Sequence, residues 1–426
     1  MRKNNRHILL GFVIFAFSFS PNLSSVFPKS YGISAKPKKT HVTNDWTHWR
    51  GPHHNGISDE KGWRDQFGPK GPKQLWKASI GTGFSSMSVG DGRVYTMGNI
   101  KNRDIVYCFD VETGDELWRH SYPCQIMAKN YEGGPHATPT LDGDRVYTFS
   151  KRGHLFCFDA KSGKVRWSKD LNKDLGFKMP RWGFAGSPLI MGDLLILNAG
   201  SSGVAFKKVS GDLAWKSDQS PGGYATPIPF SYKGKQHVAI FAERTLEAVD
   251  VNSGEVLWKV PWKTSYNINS ADPIIEGNSV FISAGYGKGC AMFQFGSGSP
   301  KQVWKNSEMK NHFSSCVLWK GYLYGLDGQS GRRSAPLKCI DFATGKVLWE
   351  KKGFKVGSLM LADEKLIILN GDGELIIAKA QPHSYQEISR AEILKGKCWT
   401  PPVLAQKRLF ARNADGDLVC IDMRKP

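Results

Sequence analysis

The chain has 426 residues with 46 Gly, 14 Trp and 12% aromatic side chains, ample to bury a core and turn-rich enough for an all-β fold. Its formal charge is +20, which permits attraction to anionic polymers. The Lys and Arg are scattered over turns, however, with no basic run interleaved with aromatics. That argues against a dedicated nucleic-acid site and for a solvated basic surface.

The chain opens with MRKNNRH and a twelve-residue apolar run, ILLGFVIFAFSF. A basic segment followed by an apolar run too short to span a bilayer reads as a secretory signal over residues 1–35. Ala35 in GISA is one candidate cleavage point, and an uncleaved amphiphilic tether is the alternative. No Cys follows the run directly, which argues against a lipid anchor. The expected location is the periplasm or the cell exterior. No later stretch is apolar for long enough to be a transmembrane helix.

Residues 36–72 form a polar arm carrying DWTHWRGPHHNGIS (Asp45 to Ser58). Trp46 and Trp49 would be costly in water, so the arm is expected to lie against the body of the protein. His53 and His54 resemble a chelating pair but have no further ligand nearby, and read as surface histidines.

From Lys73 onward the sequence is periodic. Gln74-Leu75-Trp76-Lys77 looks like the last strand of a unit whose other strands are missing at this end. The clearest repeat is VYCFDVETGDELWR (Val106 to Arg119). It returns as LFCFDAKSGKVRWS from Leu155, LEAVDVNSGEVLWK from Leu246 and LKCIDFATGKVLWE from Leu337. In all four, Asp stands eight residues before Trp and Gly stands four before it. Asp accepts hydrogen bonds from the backbone just beyond it, Gly supplies a positive φ, and Trp is a large apolar plug for a seam between sheets. Weaker copies keep Gly211 and Trp215, or only Trp304.

Units begin near Phe84, His136, Ala185, Tyr224, Ser270, Phe313, Gly357 and Trp399. Each opens with a short strand, often with Ser/Thr and Pro, as in ATPTL, GSPLI, ATPIP and ADPII. The eighth stops after its third strand, LVCIDM (Leu418 to Met423). The orphan strand at Leu75–Trp76 supplies its missing fourth. Repetition at forty-odd residues with one unit completed from the opposite end describes a ring. The expectation is an all-β, eight-bladed β-propeller of four-stranded antiparallel blades over residues 73–426, closed by an N-terminal strand. Seven blades is the alternative, because the unit from Gly357 to Ser389 lacks the Trp and has an irregular turn.

Cys108, Cys157, Cys339 and Cys420 occupy equivalent places in different units. Neighbouring sheets lie roughly 10 Å apart, beyond disulfide reach, so these read as small buried hydrophobes. Cys124, Cys290, Cys316 and Cys398 are left with no assigned pairing.

The Asp…Thr-Gly…Trp sentence resembles the repeat of the PQQ-like (pyrroloquinoline-quinone-like) β-propellers, whose members include quinoprotein alcohol dehydrogenases and BamB-like, non-enzymatic assembly factors. WRGPHHNGIS, RWGFAGSPL, SADPII, GYGKGC, NHFSS and GKCWTPP further resemble a group of secreted bacterial proteins of this kind. For the dehydrogenases, the resemblance implies PQQ on the propeller axis, stacked on a Trp beneath a disulfide between adjacent Cys, with Ca²⁺ held by Glu, Asn and Asp. This chain has no adjacent Cys pair and no C-x-x-C-H haem site, and no residue is placed for PQQ or Ca²⁺.

No H-E-x-x-H, phosphate loop or G-x-S-x-G is present, so no catalytic residue is assigned. NADGDL (Asn413 to Leu418) resembles a calcium loop but lacks its Gly and final Glu, and reads as a hairpin turn; no metal site is assigned. The expected function is an exported scaffold that binds a protein, glycan or small-molecule ligand. A PQQ-dependent alcohol or sugar dehydrogenase is the alternative.

Topology places the ligand. In a four-stranded meander the second-to-third turns and the links between blades share one face of the disc. There lie the irregular loops YEGGPH, MPRWGF, YNINSAD, KNHF and KCW. Glu132, His136, Arg181, Trp182, Asn267, Asn269, Asp272, Asn311, His312 and Trp399 are therefore expected to converge on one axial mouth, or else to plug it by satisfying one another.

Overall fold

The computed structural model describes residues 44–331 and 334–425; the signal assigned to residues 1–35 lies outside them. Eight antiparallel sheets follow one another along the chain, one for each expected blade. Blade 1 spans 88–123, blade 2 140–170, blade 3 189–216, blade 4 228–261, blade 5 274–306, blade 6 317–351 and blade 7 358–392. In blade 8, Gln74–Ser79 pairs with Asp417–Asp422, opposing Trp76 to Cys420, so the ring is closed by the N-terminal strand. The unit with the irregular turn forms a complete blade, and the count is eight. Its turn needs no Asp-Gly signal because Leu375, Ile376 and Ile377 are wholly buried and packing fixes the register.

The repeat does two jobs. Within a blade, Asp110 Oδ1 accepts from the backbone N of Glu112 and Thr113, both at 2.9 Å. These bonds hold its carboxyl below the usual range. Asp250 does the same with Asn252 and Ser253. Between blades, each Trp reaches forward. Trp118 Nε1 donates to Ala160 O of blade 2 at 3.0 Å, and Trp215 Nε1 to Val251 O of blade 4 at 2.9 Å. The indole then lies flat on the next turn's glycine: a Cβ on Gly163 would fall 2.6 Å from Trp118 Cδ2. Trp76 on Gly114, Trp167 on Gly211, Trp215 on Gly254 and Trp304 on Gly345 repeat the arrangement. Glycine is thus demanded twice, by its positive φ and by the neighbour's indole. Blade 5 departs from the pattern because a tight Gly296–Gly298 hairpin replaces the Asp turn. There Trp258 stacks on Phe295, with centroids 5.3 Å apart.

The seam between blades 8 and 1 has an added clasp. Arg412 is fully buried and donates to Met97 O at 2.7 Å, Gly81 O at 3.0 Å and Ser85 O at 3.2 Å. With no carboxylate paired to it among the described residues, burial pulls its guanidinium down to about 9.

Around the axis, the short first strands are laced by a belt of hydrogen bonds. The backbone N of Ser86 donates to Thr138 Oγ1, that of Thr138 to Ser187 Oγ, and that of Ser187 to Thr226 Oγ1. Thr226 N continues to Asp272 Oδ1, and Asp272 N to Ser315 Oγ. One hydroxyl position in this belt is therefore a carboxylate.

That carboxylate receives the arm. The arm does not merely lie against the body: it runs through the axial channel. Trp46 bridges Val89 of blade 1, and Thr47 O accepts from Leu141 N of blade 2. Trp49 Nε1 donates to Asp272 Oδ2 at 2.7 Å, with Arg50 Nε 3.8 Å from the same oxygen. Arg50 also donates to Asn55 O and Cys316 O, both at 2.8 Å. Ile57–Ser58 then pairs in parallel with the first strand of blade 7, and Glu60 Oε1 accepts from Lys407 N of blade 8. The channel interior can hold these residues because backbone carbonyls and the Asp272 carboxylate there satisfy the arm's own donors. His54 is likewise no plain surface residue, since its ring stacks on His48 at 4.1 Å. All eight Cys are buried free thiols.

Two outcomes follow from these contacts. Gly163→Ala should destabilise by about 1–3 kcal/mol through overpacking against Trp118. In a Trp118→Ala background, itself costing about 3–5 kcal/mol, that penalty should shrink markedly in urea unfolding. Strict additivity would deny the contact its role. Asp272→Ser keeps the acceptor for Thr226 N but leaves Arg50 buried without its carboxylate, at about 3–5 kcal/mol. Adding Arg50→Met should recover part of that loss; a double variant no better than the single would show that the pair is not coupled.

Candidate axial binding site

Trp49 forms part of the wall of an axial cavity of about 330 Å³. Besides Trp49 the lining comes from inter-blade links and from the second-to-third turns of blades 5 and 6, where Tyr286 and Ser330 stand. These are the segments that topology puts on a single face.

The walls are aromatic. Trp399 stacks with Phe313 at 4.4 Å and with Phe84 at 5.4 Å. Phe84 meets His136 edge-on at 5.2 Å, Tyr131 neighbours His136 at 5.5 Å and Trp182 at 6.2 Å. On the other side Phe313 contacts His312, which Tyr286 meets edge-on at 5.0 Å. Tyr224 closes the collar, its Oη accepting from Trp182 N.

Three ring nitrogens of the collar residues, His136 Nε2, Trp182 Nε1 and His312 Nε2, are buried without a partner among the described residues. His312 Nδ1 accepts from Ser330 N at 3.3 Å, which puts the ring proton on Nε2. Burial drives the His312 imidazole down to about 3. His136 is also held well below its ordinary value, by burial first and then by the nearby charges of Lys151 and Arg412. Both rings are neutral at physiological pH.

Of the ten residues expected at the mouth, His136, Trp182, Asp272, His312 and Trp399 line the cavity. Glu132 is paired with Lys397 at 2.6 Å, and Lys397 lies over the Trp399 ring. Arg181 is exposed and stacks over Trp182. The three asparagines are spent on local structure. Asn269 Nδ2 donates to Ala242 O and Trp262 O, Asn311 Nδ2 to Leu326 O, and Asn267 Nδ2 to Glu243. Short amides in links are drawn to unpaired backbone carbonyls, and the sequence does not show which amide is drawn. Asp272 lines the cavity with both oxygens engaged, one by Thr226 N and the other by Trp49 and Ser315.

The expectation overlooked Trp49, Phe84, Tyr131, Tyr224, Tyr286 and Phe313. For Phe84, Tyr224 and Phe313 the signal was present, since each opens a unit just before its first strand.

A Ca²⁺–quinone pair does not fit these residues. Ca²⁺ needs about six to eight oxygen ligands, and the only carboxylate in the lining is already engaged. Among the described residues no group of three or more His, Cys, Asp or Glu could hold a metal. Asn413, in the calcium-loop-like segment, caps its own hairpin by accepting from Gly416 N and Asp417 N.

Buried neutral histidines make the axial core acid-sensitive. The folded value for His312 is about 3 and for His48 about 4, both below the unfolded 6.5. Their contribution is complete above about pH 6.5 and is lost as pH falls towards those values. Urea unfolding should show stability declining from pH 7 to pH 4.5, with a shallower slope in His312→Gln. An unchanged slope would mean that His312 takes up its proton in the folded state.

Among comparisons with known proteins, a family profile described as "Outer membrane protein assembly factor BamB" matches residues 101–351. The outer membrane protein assembly factor BamB of Burkholderia pseudomallei is 21% identical over 343 residues, covering 74% of this chain and 79% of that protein. Polyvinylalcohol dehydrogenase from a Pseudomonas species is 29% identical over 155 residues, covering 31% of this chain but only 24% of the enzyme. Among solved structures, BamB of Moraxella catarrhalis superposes with a TM-score of 0.61 at 17% identity, over 82% of this chain and 99% of that one. Quinohemoprotein alcohol dehydrogenase of Comamonas testosteroni gives 0.67 at 12% identity, over 90% and 81%. At such identities the structures speak for the fold alone. With the family profile spanning more than half of it, the chain belongs to the PQQ-like β-propeller family that includes the outer membrane protein assembly factor BamB.

Proposed function

We propose that this chain is an exported β-propeller that works as a binding protein, taking a small ligand into the axial cavity. The supporting observation is the cavity itself: about 330 Å³ within an aromatic collar, with the polar groups of Tyr131, Ser270 and Thr400 in its lining. Convergent polar groups on apolar walls are what a small-molecule site requires. The arm strengthens this reading, because it fills the channel beneath the cavity and leaves a cup instead of a pore.

Export is supported by the basic and apolar opening of residues 1–35, and no helix among the described residues is long and apolar enough to cross a membrane. Binding is favoured over quinone-dependent oxidation because the described residues hold no group of three or more His, Cys, Asp or Glu for a metal and because a relative matched over most of its length is named an assembly factor.

A thermal-shift screen of low-mass compounds tests the proposal, with Ala185→Trp as its control. Ala185 is a small residue of the lining, so the indole would fill the cavity from a position that carries no polar contact. Compounds that raise the melting temperature of the native chain should have no effect on the variant at equal baseline stability. Compounds that stabilise both equally would place binding elsewhere and remove the cavity from the function.

A further inference from the structure

One corner of the cavity differs from the rest. Tyr131, His136 and Trp182, from the links after blades 1 and 2, bring a phenol, an imidazole and an indole ring together around it. Behind Tyr131 stands Lys151, in the second-to-third turn of blade 2 and only 3% exposed. Its ammonium donates to Tyr131 Oη and lies 4.6 Å from the centre of that ring. No carboxylate lies within ion-pair distance of it among the described residues. The acid that acts on it, Asp104 on blade 1, has one oxygen bound to Asn99 and the other without a partner among the described residues.

A lysine buried without a counter-ion is expensive, and such residues are commonly tuned to a task. Burial pulls Lys151 down to about 7, against the opposing influence of Asp104 and Cys124. The other groups beside it are the Tyr131 phenol and the His136 imidazole, while Glu132, paired with Lys397, acts on Tyr131. Arg412 of blade 8 acts on His136 from the far side, and His154 of blade 2 acts on Asp104. Burial raises the Tyr131 phenol, so it stays protonated. With its oxygen accepting from Lys151, its own O–H is directed elsewhere. The corner therefore offers the Tyr131 O–H, backed by a cation with no carboxylate in ion-pair contact among the described residues.

We propose that the axial cavity selects an organic monocarboxylate with a flat apolar body, its acid group seated at the Tyr131–His136–Trp182 corner and neutralised through Tyr131 by Lys151. This rests on the binding reading above and adds to it the chemistry of the ligand. The acid accepts from the Tyr131 O–H beside the Trp182 ring, and the body lies along Phe84, Trp399 and Phe313. No metal is needed, since Lys151 supplies the positive charge. A cationic ligand is disfavoured, because Asp272 is the one carboxylate in the lining and is already engaged. Lys151 acts as a positioning residue, reaching the ligand through the phenol.

Because the bound acid holds the proton on Lys151, binding should take up about one proton above neutrality. Affinity should then weaken about tenfold from pH 6 to pH 8. Isothermal calorimetry of the full chain tests this with benzoate and cinnamate against benzamide and cinnamamide, at both pH values and in buffers of different ionisation enthalpy. The expected result is carboxylate binding with proton uptake at pH 8, at least tenfold tighter than the amides at pH 6. The pH dependence should vanish in Lys151→Gln. Tyr131→Phe, which keeps the ring, should lose about tenfold in affinity and serves where the first variant folds poorly. Amides that bind as well as the acids, or a slope that persists in Lys151→Gln, would overturn the proposal and leave the binding reading in place. Absence of binding by both series below 10 mM would also overturn it; the thermal-shift screen, with its own control, then decides the binding reading separately.

Discussion

The carboxylate of Asp272 is the constraint on which the interior depends. At the place where blades 2, 3, 4 and 6 put a hydroxyl, blade 5 puts a charge, and that charge is almost wholly buried. Burial alone raises its affinity for a proton, while Arg50, Trp49, Thr226 and Ser315 work against that rise. Desolvating two charges costs several kcal/mol per ion, and only further hydrogen bonds recover it. Those bonds exist because the arm is inside the channel. The arm in turn stays inside because Asp272 offers an acceptor that a serine could not share among an indole, a guanidinium and a belt amide. Carboxylate and arm require each other.

This mutual requirement explains what the sequence made legible and what it left hidden. The blades are encoded locally: Asp110 bonds two residues along, Gly114 turns the chain, and Trp118 sits at fixed spacing. A repeat of local signals can be read without knowing where the chain goes, and closure followed from counting strands at the two ends. The arm carries no period. Its partners lie 223 positions away at Asp272 and 266 at Cys316, so nothing near WTHWRGP indicates a channel. The substitution of Asp for Ser/Thr in ADPII was visible, but its meaning required knowing that the equivalent residues form a belt.

The candidate site was legible in the same measure. Topology identified the face, since turns and links alternate in any meander. Which side chains enter the cavity depends on competition for backbone carbonyls within each link. Asn269 and Asn311 lose their amides to that competition, whereas His136, Trp182 and His312 keep a ring nitrogen free. Trp118 and Trp215 in the blades spend the same kind of ring nitrogen on a carbonyl of the next blade, so the outcome turns on which carbonyl stands within reach and not on the residue type.

Ring closure and channel filling are also joined in one stretch of chain. The residues that enter the channel, 46–58, lead within sixteen positions to the strand at Gln74–Ser79 that completes blade 8. Ser58 Oγ already donates to Leu404 O, 346 positions onward, and Arg64 N to Met423 O. Contacts so distant in sequence cost loop-closure entropy before they return any energy. Here one ordering event secures both sets: docking the arm brings the closing strand beside blade 8, and pairing that strand holds the arm on the axis. An open ring with a filled channel, or a closed ring with an empty one, would forgo half of the contacts while bearing most of the entropy. The propeller is therefore expected to close and to become a cup in a single cooperative step.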